Sequence, residues 1–158
     1  MNHVADKLHY KQDYPLSEKR PDLVKTVKDR PLDQITLEAV MNGEVEADEI
    51  RVTPQTLEYQ AQIAESIGRP QLAGNLRRAA ELTRVPDERI LEIYNAMRPN
   101  MSTKEDLLGI ADELENEYEA KINADLVREA AEVYERRGRL KAPEEDQAEA
   151  QLEEMSDG

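Results

Sequence analysis

Few side chains in this sequence have the type and spacing that chemistry requires. The only two histidines, His3 and His9, sit near the N-terminus. As a metal pair they are a weak candidate beside the plainer reading of two solvated side chains. Cysteine is absent, which excludes disulfides and thiolate metal sites. No glycine-rich loop of Walker or dinucleotide type occurs, and the six glycines fall mostly where helices should end. Carboxylates are plentiful, yet Asp112, Glu113, Glu115, Glu117 and Glu119 lie along one helical stretch and read as a solvated face. A catalytic pair would need a pocket that shifts one pKa, and nothing in the sequence marks one. Arg77-Arg78 and Arg136-Arg137 are candidates for partner contacts, although an ordinary surface arginine is the preferred reading of each. Tyr59, Tyr94 and Tyr118 read as packing residues. The expectation is a chain with no catalytic, cofactor-binding or metal site of its own.

The elements that would position these residues are helical. Residues 1–31 form the exception, because Pro15, Pro21 and Pro31 push their neighbours toward extended geometry. An irregular arm is expected there, with at most a short helix over 23–27. Its apolar residues Tyr14, Leu16, Leu23 and Val24 have no period with which to build a core, so they are candidate contacts with another protein. A helical domain should follow over 32–140. Asp33 is a candidate cap for a short helix carrying Ile35, Leu37 and Val40, ended by Asn42-Gly43. A further turn is expected over 47–50. Thr53-Pro54 opens a helix with Leu57, Ala61, Ala64 and Ile67 on one stripe and Gly68 as the stop. Arg69-Pro70 opens another, with Leu72, Leu76, Ala79 or Ala80, and Leu82 inward.

Pro86, Asp87 and Glu88 suit a helix start, after which Ile90, Leu91, Tyr94 and Met97 recur at helical spacing. Ser102-Thr-Lys-Glu105 fits a capping box before Leu107, Leu108, Ala111, Leu114 and Tyr118. A last helix runs from about Asn123 through Leu126, Val127, Ala130 and Tyr134 to Gly138. Residues 141–158 are expected to be a disordered acidic tail. No segment alternates as a strand would. The fold expected is therefore all-α, with about five to six helices packed as a small bundle.

Bulk properties narrow the function classes. Leu, Ile and Val make up 33 of 158 residues, or 21%, and there is no Phe or Trp. That is close to the roughly 20% at which highly charged chains stay disordered. A folded chain this polar is expected to lean on a partner. The net charge is −14, with residues 141–158 the most acidic stretch per residue. Phosphate backbones and anionic membranes both require a basic face, and none is present. There is no apolar signal core and no 18-residue apolar span, so a soluble protein of the cytoplasm is expected.

A series of phrases in the chain is specific as well as helical. They are Asp13-Tyr-Pro-Leu16, Ile35-Thr-Leu-Glu38, Arg51-Val-Thr-Pro-Gln-Thr-Leu-Glu-Tyr-Gln-Ala-Gln-Ile-Ala-Glu65 and Arg78-Ala-Ala-Glu-Leu-Thr83. Val85-Pro-Asp-Glu-Arg-Ile-Leu-Glu-Ile-Tyr-Asn-Ala-Met-Arg-Pro99, Ile110-Ala-Asp-Glu-Leu-Glu115 and Val127-Arg-Glu-Ala-Ala-Glu-Val-Tyr134 complete the series. In this order they resemble the small subunit of adenosylcobalamin-dependent diol and glycerol dehydratases, over about residues 13–141. The resemblance implies a non-catalytic subunit of a lyase that holds two copies each of a large, a medium and a small chain. It also implies that adenosylcobalamin lies between the large and medium chains and starts a radical route from diol to aldehyde plus water. The small chain would then be helical and pack on the large chain, away from the substrate.

Only Met1 to Gln12 precede Asp13, without the amphipathic extension that targets some relatives to a microcompartment. By the resemblance, a start of this kind leads to the expectation of the glycerol-dehydratase branch and gives no support to encapsulation. Propane-1,2-diol and glycerol both stay open as substrates, and the acidic tail has no counterpart in the family pattern. Composition alone also admits a free-standing acidic helical adaptor.

Overall fold

A computed structural model describes residues 7–142. His3 and nearly all of the acidic tail lie outside the described residues. The fold is all-α. Among the described residues the only β pairing is an isolated antiparallel bridge between Lys25 and Pro31. The chain divides into two compact units between Arg84 and Val85. This division runs through the expected 32–140 domain, and the expected arm belongs to the first unit.

In the first unit, two short helices, α1 (Tyr10–Asp13) and α2 (Leu16–Lys19), precede a 3-10 turn at Pro21–Leu23. Further 3-10 turns at Leu32–Gln34 and Ala47–Ile50 flank α3 (Leu37–Met41). The long helices α4 (Pro54–Ser66) and α5 (Pro70–Leu82) complete the unit. Pro54 and Pro70 open them at a position where a missing N–H is no loss. Gly68 makes the reversal between them at φ +73°, a conformation that costs other residues a Cβ clash. The alanines Ala61, Ala64 and Ala73 are buried together with Leu76 packed against them. Small side chains allow the two helix backbones to approach closely.

Residues 7–31 are more ordered than proline content suggests. Leu8 and Leu16 are buried with Ile63 of α4, and Leu23, Val24 and Tyr59 pack against them. Two long-range bonds fix the segment: Leu8 N–H donates to Gln62 Oε1 (3.0 Å) and Tyr10 N–H to Ser66 Oγ (2.9 Å). The apolar residues thus form a core with α4, although they have no period among themselves. Of the short helix allowed at most over 23–27, only Leu23 is helical, as the end of the 3-10 turn, and extended backbone and a turn follow. Thr36, rather than Asp33, caps the helix that follows, accepting from Ala39 N–H at 3.1 Å.

Below this segment sits a buried charge. Glu49 is 1% exposed, and its Oε1 accepts from Arg30 Nε at 2.7 Å and from Thr26 Oγ1 at 3.2 Å. A buried carboxylate needs such partners, since desolvation alone would expel it.

The second unit holds α6 (Asp87–Ala96), α7 (Lys104–Asn116) and α8 (Lys121–Arg137). Helices α7 and α8 pack against each other. Leu107, Ile110, Ala111 and Leu114 are buried on α7, and Ala124, Val127 and Ala131 on α8. The capping box of α7 lies one residue later than expected. Thr103 accepts from Asp106 N–H (3.2 Å) while Asp106 Oδ2 accepts from Thr103 N–H (2.9 Å). Ser102 is instead committed to the previous helix, donating to Ala96 O at 2.8 Å. Tyr134 O–H donates to Met97 O at 2.7 Å, and Gly138 closes α8 in the left-handed region at φ 60°.

Candidate subunit interface

The structure brings the four expected contact residues to one end of the first unit and gives them different roles. Leu16 is buried, and Leu23 and Val24 are half-buried against the cluster of Leu8, Leu16 and Ile63. Their apolar surface is largely used within the chain. Tyr14 is the exception at 50% exposed, with its ring stacked on Tyr10 at 5.2 Å between centroids. Tyr10, Tyr14, Leu16, Val24, Ile67 and Leu72 line an open groove of about 770 Å³. Ile67 and Leu72, expected inward, face solvent along this groove because Ile63 and Ala73 take the inward positions.

The charged residues expected to form a solvated face are mostly paired. Arg77 donates to Glu58 through Nε (2.9 Å) and Nη2 (3.1 Å), and to Glu65 through Nη1 (2.6 Å). Lys7 Nζ stands 2.7 Å from the other Glu65 oxygen. Arg77 foremost, then Lys7, hold the Glu65 carboxyl down to about 2 from 4.5. Arg89 binds both oxygens of Glu113, at 2.8 and 2.5 Å, and pulls that carboxyl below its usual range. Arg128 joins Asp112 (2.9 Å) and Glu115 (2.7 Å). Arg77 is therefore a structural cross-link between α4 and α5, and Arg78 binds Asn75 on its own helix.

His9 serves α1, its Nδ1 accepting from Lys11 N–H at 3.3 Å. Among the described residues no group of three or more His, Cys, Asp or Glu is disposed to hold a metal ion. Nor is any helix of those residues long and apolar enough to cross a membrane.

Two helices turn apolar side chains outward, and on one of them, α6, Leu91 and Tyr94 belong to the expected helical stripe. On α6 the buried residue is Ile93, while Leu91 is 63% and Tyr94 68% exposed. The helix is apolar over much of its circumference, so spacing alone left the choice of face open. On α3 the single buried residue is Ala39, while Leu37 and Met41 are each 79% exposed. Leu37 and Met41 were not singled out as surface residues. The visible signal was their i, i+4 spacing on a helix too short to bury two faces.

Residues 9–141 match the family model described as dehydratase small subunit. The chain belongs to this family. It is 59% identical over 129 residues to a propanediol dehydratase small subunit of Salmonella typhimurium, covering 82% of this chain and 75% of that one. A propanediol dehydratase small subunit of Citrobacter freundii is 57% identical with the same coverage. The dehydratase small-subunit match takes in α1 to α8, so the segment before α3 belongs to the family pattern as much as the long helices do. Family membership sets aside the free-standing adaptor, which rested on composition.

Proposed function

We propose that this chain is the non-catalytic small subunit of an adenosylcobalamin-dependent dehydratase acting on propane-1,2-diol or glycerol. The enzyme holds large, medium and small chains in two copies each and works in the cytoplasm. Adenosylcobalamin, bound by the partner chains, supplies the radical that starts conversion of the diol to an aldehyde and water. Two features of this chain support a cofactor held by its partners. His9, the one described histidine, is occupied as a helix cap, and the groove beside Tyr14 is lined mainly by aliphatic and tyrosine side chains.

The observation that carries the reading is the match across residues 9–141 to dehydratase small subunits. The surface supports it: the best-placed carboxylates are tied to arginines, while Leu37, Met41, Leu91 and Tyr94 face outward. Outward aliphatic and aromatic residues are what a subunit presents to its neighbours. The large chain is the main partner, and Tyr14 and its groove contribute to that contact.

Co-expression with the large and medium chains tests this. The three together should turn over a diol with adenosylcobalamin, and the isolated small chain should not. Turnover by the isolated chain, with the other chains shown absent, would overturn the reading. Tyr14→Ala should weaken co-purification with the large chain while leaving the fold intact. Deleting residues 1–31 is the poorer test, because it also removes Leu8, Leu16 and the Arg30 partner of buried Glu49.

A further inference from the structure

Helix α3 is built inside out for a protein that stands alone. Its buried side is a single alanine, Ala39, and its bulky residues Leu37, Val40 and Met41 share the outward side. Residues 37, 40 and 41 are one face of a helix by their i, i+3 and i+4 spacing. A five-residue helix has little stability of its own, so this one must be held in place. Thr36 Oγ1 accepts from Ala39 N–H, and Ala39 O accepts from Glu44 N–H (2.9 Å) and Val45 N–H (3.3 Å) at the other end. Val45 is itself buried. The outward face is therefore held ready by its surroundings, which lowers the ordering cost of binding.

The charge around it is one-sided. Between residues 33 and 52 there are six acidic side chains and one basic, Arg51. Glu46 is paired with Lys28, and Glu49 with Arg30 and Lys28. Asp33 and Glu38 stand in no ion pair among the described residues, and Glu44 accepts from Asn42 Nδ2 at 3.4 Å with Arg30 near it, so the charge at the rim of the apolar face is negative on balance. A second copy of this chain would bring like charges together across a two-fold axis. A surface that is apolar at its centre and carries lysine or arginine at its edge complements both features.

We propose that the Leu37–Val40–Met41 face of α3, with its rim of Asp33, Glu38 and Glu44, docks on an apolar, basic-edged surface of the large dehydratase chain. This rests on the small-subunit reading above and assigns one of its contact surfaces. Leu37 and Met41 are the anchors, and the acidic rim sets orientation and salt dependence.

The test uses the co-expressed complex with a tag on the large chain. The double variant Leu37→Glu/Met41→Glu should reduce recovered small chain by about tenfold or more, as loss of interface anchors does, with helix content unchanged. Glu38→Lys should weaken recovery and remove part of its sensitivity to salt. In the wild-type complex, backbone amides 36–42 should gain protection from hydrogen exchange on assembly. If the double variant is recovered as well as wild type and those amides gain nothing, the assignment of α3 falls while the small-subunit reading stands. If the wild-type chain itself is not retained by the large chain, both fall. If the isolated chain forms a dimer that the double variant abolishes, the face belongs to a second copy and the proposal is overturned.

Discussion

Glu65 shows how single residues in this chain work at neutral pH. Its carboxyl is held at about 2 by Arg77 and Lys7, against 4.5 for a free side chain. A depressed folded-state pKa means that the unfolded chain binds the proton first. The contribution is complete above about pH 4.5 and is lost as the pH falls toward 2. Glu58, Glu113 and Glu115 are lowered in the same direction by Arg77, Arg89 and Arg128. Denaturation at fixed temperature should therefore be flat from pH 7 to about 5 and steepen below. Glu65→Gln should flatten the acid limb, as followed by urea midpoints across pH.

Burial decides a second pair of outcomes. Leu114 is almost fully enclosed, so Leu114→Ala should cost about 2–5 kcal/mol. Leu91, outward on α6, should cost within about 0.5 kcal/mol in the free chain and show its effect only in assembly. Equal losses for the two in the isolated chain would contradict the exposure of Leu91.

At the scale of elements, boundaries were more legible than faces. Pro54, Gly68, Pro70 and Gly138 announce helix ends because proline and glycine act locally, through a missing N–H or a permitted positive φ. The capping box was displaced by one residue for an equally local reason. Ser102 and Thr103 are both competent caps, and each has an acid three residues on. Ser102 is drawn to Ala96 O, which leaves the cap to Thr103. Thr103→Ala should then cost about 1 kcal/mol, and Ser102→Ala should act instead through the end of α6. Chemical denaturation of the two variants separates the roles.

Helices α1 and α2 escaped sequence reading because four residues carry no period. The start of α1 is tied to Gln62 and Ser66, more than fifty positions away, and α2 is held by Leu16, buried against Ile63. The inward side of α6 and the outward side of α3 depend on neighbours in space, and no local spacing encodes those. Of the candidate contact residues, Tyr14 is exposed at the groove, while Leu16 is buried in the chain's own core, a difference that depends on Ile63 of α4 and not on local spacing.

For the whole molecule, a sparse aliphatic supply meets a net charge of −14. Many large apolar side chains stay outside the core. The free chain should consequently gain stability from its partners by mass action. At a partner concentration a hundredfold above the dissociation constant, the gain is about 2.7 kcal/mol. For a chain of this size that corresponds to a rise in melting temperature of about 5–10 °C. Differential scanning calorimetry of the free chain and of the assembled enzyme measures it. A free chain that already melts as high as the complex would contradict partner dependence.

The stacked rings of Tyr10 and Tyr14 also make the molecule an optical instrument. With no tryptophan in the sequence, its near-ultraviolet emission comes from six tyrosines alone. A single Tyr14→Trp replacement would place one long-wavelength fluorophore at the mouth of the groove, against no background from the rest of the chain. Its emission should lie near that of a wet indole in the free protein and move to shorter wavelength when a neighbour covers the groove. Titrating such a chain with the large subunit would report the docking of that one end of the molecule in real time.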